Sequence, residues 1–210
     1  MTFDSQAGLV GQALACERGG RLVFSKLDFA FGPGTLVVLR GANGAGKSSL
    51  LRVLAGLLVQ AHGTLSWHGA DIGDDPAEHR ARVQYIGHQD ALKPTLTPGE
   101  HLRFHAALYG VRNRNIENAL AAFGLEKLAQ TPTRFLSQGQ KRRVALARLC
   151  VVPAAIWLLD EPSNGLDASS VERLGAAIAQ KRAGGGIVVA ATHLDFPGTD
   201  ARTLVLGGSA

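Results

Sequence analysis

No apolar run in this 210-residue chain approaches the roughly 18 residues that a membrane-spanning helix needs. The longest, Val151–Leu159, is interrupted by Pro153. The opening residues, MTFDSQAGLVGQ, carry an acid and no basic segment, so they do not read as a secretory signal. Cysteine is scarce. Cys16 and Cys150 lie far apart, form no metal-spaced pair, and read as reduced core thiols of a cytosolic protein. Internal repeats and low-complexity linkers are absent. What remains is 46% hydrophobic and 19% charged, the composition of a soluble globular protein long enough for one full core or for a large and a small lobe. The net charge of +5 is compatible with nucleic acid, an anionic membrane surface or phosphates. Apart from QKRRVALAR the basic residues are scattered, so charge alone selects none of these.

The informative stretch is RGANGAGKSSLLRVLAGLL, Arg40–Leu58. The apolar, β-branched run GTLVVLR before Gly41 predicts a buried strand. Leucines at 50, 51, 54, 57 and 58 follow a helical period. The glycines therefore sit at a strand-to-helix turn, and Gly41–Ser48 matches G-x-x-x-x-G-K-[ST]. Glycines let backbone N–H groups curl around phosphate oxygens, and the following helix aims its positive end at the same anion. This assigns nucleotide binding to Gly41, Ala42, Asn43, Gly44, Ala45, Gly46, Lys47, Ser48 and Ser49, with Lys47 reaching the β- and γ-phosphates and the Ser48 hydroxyl a Mg²⁺ ligand.

Such a loop needs a carboxylate on a neighbouring strand, and AAIWLLDEP supplies one. Asp160 emerges at the carboxyl end of a buried strand, where α/β sheets bind ligands, and suits Mg²⁺ directly or through water. Glu161 can polarise the water that attacks the γ-phosphate. GGGIVVAATH predicts a strand ending in His193, pointing into the ligand crevice. VQYIGHQD predicts a strand ending in Gln89, able to touch both Mg²⁺ and a mobile neighbour. In LSQGQKRRVALARL, Ser137 is a good N-cap for a helix lined by Val144, Leu146 and Leu149. Its glycine-bearing N-terminus offers a second phosphate-binding end, which, with one P-loop already in the chain, serves another chain's nucleotide.

These motifs, in this order, resemble the nucleotide-binding subunits of ABC transporters. The Walker A motif is Gly41–Ser48, the Q-loop Gln89, the signature Leu136–Gln140, Walker B Ile156–Asp160 followed by Glu161, the D-loop Ser163–Asp167 and the H-loop His193. The resemblance implies an α/β fold: one ATP-binding domain over 1–210, with a P-loop NTPase, RecA-like core holding strands near 36–40, 156–160 and 187–192. An antiparallel β subdomain would come from the N-terminal residues and GTLSWHG, and a helical lobe from roughly 92–149, its first helix started by a capping box at Thr97-Pro98-Gly99-Glu100. It also implies ATP and Mg²⁺ as cofactors and a homodimer that sandwiches ATP. In each site Lys47, Gln89, Glu161 and His193 would be catalytic, Ser48, Gln89 and Asp160 would hold the metal, and Leu136, Ser137, Gln138, Gly139 and Gln140 would act across the interface. Two departures stand out. The third signature residue is Gln138 where many members have Gly. Arg18 stands where a Tyr often stacks on adenine, leaving Arg18 as a cation–π partner or a nearby aromatic such as Phe24.

Within that family, ALACERGGRLVFSKLDF, YIGHQDALKPTLTPGEHLRFH and GQKRRVALARLCVVPAAIWLLDEP resemble the ATP-binding subunits of the haem exporters of bacterial cytochrome c maturation. That resemblance implies a peripheral location on the cytoplasmic side of the inner membrane. It also implies a permease partner with associated haem-handling membrane proteins, and ATP hydrolysis driving release of a haem-loaded chaperone. The segment after Gln89, with Leu92, Lys93, Leu96, Leu102 and Phe104, is the expected permease-docking patch. The seven histidines form no Cys-x-x-Cys-His site and read as surface and capping residues, so no direct haem site is expected. The alternative is another ABC exporter or, less favoured, a soluble ABC ATPase on nucleic acid. The stretch between Walker A and the signature lacks the heptads of a coiled-coil DNA-repair relative, and a kinase or GTPase would not need LSQGQ or His193.

Overall fold

The computed structural model describes residues 8–111, 115–193 and 200–207. Residues 112–114, inside the predicted helical lobe, and 1–7, within the stretch read for a secretory signal, lie outside these.

The centre of the molecule is a five-stranded parallel sheet. Its strands are β3 (Leu36–Arg40), β6 (Val83–Ile86), β7 (Ile156–Asp160), β8 (Ile187–Ala191) and β9 (Arg202–Val205), in the order β6-β7-β8-β3-β9. The inner strands are apolar along their length because both faces of the sheet are covered. Alternate residues divide between two cores. Leu36, Val38, Trp157, Leu159, Val188 and Ala190 face one, and Val37, Leu39, Ile156, Leu158, Val189 and Ala191 the other.

The second core is shared with helix α1 (Lys47–Leu54) and an antiparallel sheet of β1 (Leu9–Arg18), β2 (Arg21–Phe31), β4 (His62–Trp67) and β5 (Ala70–Asp71), ordered β2-β1-β4-β5. β1 and β2 are joined by Gly19-Gly20, with φ of 56° and 72°. A two-residue hairpin whose twist matches its strands needs positive φ at both positions, which glycine adopts without strain. A short helix, α2 (Pro76–Ala81), leads into β6.

The first core holds the remaining helices: α3 (Pro98–Leu108), α4 (Ile116–Ala122), α5 (Gln138–Ala147) and α6 (Ala168–Ala183). The α3 N-terminus is set by a full capping box. Thr97 Oγ1 accepts from Glu100 N–H, and the Glu100 carboxylate accepts from Thr97 N–H at 2.8 Å. Ser137 and Gln140 build the same box at α5.

Several expectations are corrected here. The strand leading to Gln89 ends at Ile86, so Gln89 lies in the loop beyond it. Leu102 is fully buried and packs α3 onto the core, whereas Phe104 is half exposed beneath the Lys93 ammonium, 5.8 Å from its ring centroid. The histidines are not uniformly superficial. His79 and His101 are buried, and His105 Nε2 lies 2.8 Å from the side-chain oxygen of the buried Gln84. Burial pushes all three imidazoles below the ordinary range, His105 to about 4 with help from the Arg148 guanidinium. α6 and β9, over residues 168–183 and 202–205, lie outside every motif that the sequence marks.

Candidate functional site

β3 ends at Arg40, and the chain turns through Gly41, Gly44 and Gly46 with φ of 146°, 83° and 97° before α1 begins at Lys47. Two of these positions have no room for a side chain. A Cβ on Gly41 would lie 2.4 Å from Leu206 O, and one on Gly46 would lie 2.5 Å from Val23 Cγ1. The turn is closed by Ala45 N–H donating to Ala42 O at 3.1 Å. Lys47 Nζ arches back over it, donating to Gly41 O (2.7 Å) and Ala42 O (3.1 Å). The ammonium is thus held over the loop by two weak carbonyl dipoles that an anionic oxygen would replace.

β7 delivers its carboxylates to the same place. Asp160 is buried, and its Oδ1 accepts a hydrogen bond from Ser48 Oγ at 2.9 Å. Tyr85 Oη, from β6, stands 3.4 Å from Asp160 Oδ2. Two hard oxygen donors from different elements at this separation fit a small divalent cation. Glu161 has left the strand geometry, at φ 46°. It lines the cleft, with Oε1 3.7 Å from Nε2 of His193, which projects largely exposed beyond the end of β8. Asn43, Gly44, Gly46, Lys47, Ser48 and Ser49 also border this cleft of about 660 Å³, with Arg18 and Val23 completing its lining. Phe24 is only 8% exposed and sits in the core against the loop, so of the two adenine-stacking candidates only Arg18 borders the cleft.

Gln89 and the LSQGQ residues are placed elsewhere. Gln89 and Gln138 border an adjoining groove of about 650 Å³ with Asn164, Gly165 and Arg142, and His88 borders both. Leu136 is buried, Ser137 and Gln140 cap α5, and Gly139 meets the loop after β7 so closely that a Cβ there would lie 2.6 Å from Gly165 O. The structure therefore brings Lys47, Ser48, Asp160 and Glu161 together, sets His193 beside them, and keeps residues 136–140 out of that cleft.

Residues 24–164 match the ABC transporter family. The chain belongs to that family. As an ABC protein it is an ATP-hydrolysing subunit, and its α/β architecture is that of the ABC ATPase domains. It is 51% identical over 187 residues to the cytochrome c biogenesis ATP-binding export protein CcmA of Paramagnetospirillum magneticum, covering 87% of this chain and 86% of that protein. Its identity to the protein of the same name from Rhodospirillum rubrum is 47% over 203 residues, covering 97% and 87%. A solved ATP-binding subunit of an ABC transporter superposes with a TM-score of 0.85 at 27% identity, covering 95% of this chain and 85% of that one.

Beyond the motifs of the ABC resemblance, the structure adds three residues to the site: Tyr85 against Asp160, His88 between the two grooves, and Arg142, whose buried guanidinium reaches the backbone of the Asp160-Glu161 segment. The sequence carried no signal for Tyr85, which reads as an ordinary strand residue. His88 was adjacent to a motif. Arg142 lay within the basic run QKRRVALAR, which suggests a solvated face.

Proposed function

We propose that this chain is the ATP-hydrolysing subunit of a haem exporter that serves cytochrome c biogenesis, acting as one ATP-binding domain with residues 92–149 as its helical lobe. The observation that carries the catalytic reading is the convergence of Lys47, Ser48, Asp160 and Glu161 in one cleft, reached from α1 and β7. In this reading the loop from Gly41 to Ser49 wraps the phosphates of ATP, and Lys47 exchanges its two loop carbonyls for phosphate oxygens. Ser48, Asp160 and Gln89 would hold Mg²⁺, which would neutralise charge developing on the β- and γ-phosphates. Glu161 takes a proton from the water that attacks the γ-phosphorus as the bond to the bridging oxygen breaks, leaving ADP and phosphate. His193, 3.7 Å away, holds the carboxylate and the attacked phosphate in register. Arg18, on the lining of the cleft, stacks on the adenine ring.

The separation of Leu136, Ser137, Gln138, Gly139 and Gln140 from that cleft supports a homodimer with two sandwiched ATP molecules, each completed by the partner's capped α5 N-terminus. In this reading the exposed Phe104, with Lys93, Leu92 and Leu96, is the surface offered to a membrane permease, and the chain works on the cytoplasmic face of the inner membrane beside the haem-handling proteins of that machinery. Neither a nucleic acid nor direct haem ligation belongs to this reading. The mechanistic part is tested by two variants. Glu161→Gln retains ATP binding, loses hydrolysis and accumulates an ATP-bound dimer. Lys47→Ala loses affinity for the nucleotide. Equal loss of ATP binding in both refutes the division of roles. Co-purification of the wild-type chain with a permease from membranes, absent for Phe104→Asp, tests the transporter assignment.

A further inference from the structure

α5 carries two adjacent arginines that both donate to backbone carbonyls, and only Arg142 reaches the backbone that bears Asp160 and Glu161. Arg143 Nη1 instead donates to the carbonyls of Phe123 and Gly124, in the turn after α4. Arg142 is 3% exposed, and its guanidinium makes five hydrogen bonds: Nε to Pro162 O (3.2 Å), Nη1 to Gly87 O (2.9 Å) and Asp90 Oδ1 (3.0 Å), and Nη2 to Asp160 O and Glu161 O (both 2.8 Å).

Three of the acceptors are successive carbonyls, those of residues 160, 161 and 162. Along a strand, successive carbonyls point to opposite sides. They converge on one point only where the backbone leaves the strand, and it does so at Glu161, whose φ of 46° lies in the left-handed region that side-chain-bearing residues avoid. Converging buried carbonyls repel one another and need donors. The planar guanidinium provides charge and a fixed fork of donors together, which an ammonium cannot. The remaining two bonds go to Gly87 and Asp90, on either side of Gln89.

We propose that Arg142 is a positioning residue for hydrolysis. It holds the Glu161 backbone in its left-handed turn, so that the carboxylate faces the attacking water, and it ties that turn to residues 87–90. Movement of the loop bearing Gln89 is thereby transmitted to the proton acceptor through one rigid group. The inference rests on the reading of Glu161 as that acceptor.

The test is Arg142→Lys, with Arg143→Lys as control, in the full chain. Arg142→Lys is expected to bind a fluorescent ATP analogue and to show a KM for ATP within about twofold of wild type, because the loop from Gly41 to Ser49 is untouched, while kcat falls on the order of 10- to 100-fold, the effect of displacing a catalytic group by about an ångström. A purely structural role would lower the melting temperature and leave this split unmade in assays run well below melting. In single turnovers, Arg142→Lys added to Glu161→Gln costs no more than Glu161→Gln alone, since Arg142 acts through Glu161. If Arg142→Lys does not fold, Asp90→Asn, altering only the more exposed end of the network, is expected to lower kcat at unchanged KM. A kcat within twofold of wild type in folded Arg142→Lys (or, failing that, in Asp90→Asn), or losses that multiply in the double variant, overturns the proposal. Wild-type hydrolysis by Glu161→Gln instead overturns the underlying reading of Glu161.

Discussion

Gly46 is confined by two separable constraints, so substituting it gives a quantitative test of the loop. Its φ of 97° is left-handed, and a Cβ there would lie 2.5 Å from Val23 Cγ1 on β2. Holding alanine in a left-handed conformation costs about 1–2 kcal/mol. Carbon atoms in ordinary contact sit about 3.5–4.0 Å apart, so the overlap asks for a movement of about 1 Å in packed surroundings, an overpacking worth about 1–3 kcal/mol. Gly46→Ala is therefore expected to lose about 2–5 kcal/mol, or about 4–20 °C in Tm at 2–4 °C per kcal/mol. Only the overlap is relieved by trimming the neighbour. Val23→Ala alone is mildly destabilising, but in the Gly46→Ala background it restores about 1–2 kcal/mol, a favourable coupling of that size in a double-mutant cycle. Urea unfolding of the four proteins, without nucleotide, measures it. Strictly additive effects, or a Gly46→Ala loss below about 0.5 kcal/mol, would show that the loop is not held against β2 as described.

Leu102→Ala is expected to cost about 2–5 kcal/mol in urea unfolding, as a fully buried leucine does, and Phe104→Ala less than about 1 kcal/mol; equal costs would contradict the inward and outward placement of the two side chains. His105 titrates near 4 in the folded chain against 6.5 for an ordinary imidazole. The unfolded state therefore binds more protons between those values, so the contribution of the neutral ring is present above pH 6.5 and is lost as pH falls toward 4. His105→Gln should flatten the curve of urea midpoint against pH across that window, and an unchanged slope would remove His105 as its source.

What could be read from the sequence was encoded within a few residues. The Thr97–Glu100 capping box joins residues three apart, so its pattern declares it, and Ser137 at the head of α5 is legible as a cap for the same local reason. The strands over 36–40, 156–160 and 187–191 follow from continuous apolar runs, because a strand covered on both faces needs no polar alternation. The glycines before Lys47 announce a turn with positive φ for the same local reason. Where the strand before Gln89 ends, which way Leu102 and Phe104 face, and that Phe24 is withdrawn into the core are decided by packing between distant elements. Arg142 is the clearest case. Its sequence context reads as a solvated helix face, yet the helix turns it into the interior. Its partners are mostly backbone carbonyls, which every residue possesses and no side-chain pattern marks. Only the folded chain, by turning at Glu161 and laying α5 beside β7, brings the carbonyls of residues 160, 161 and 162 to one guanidinium.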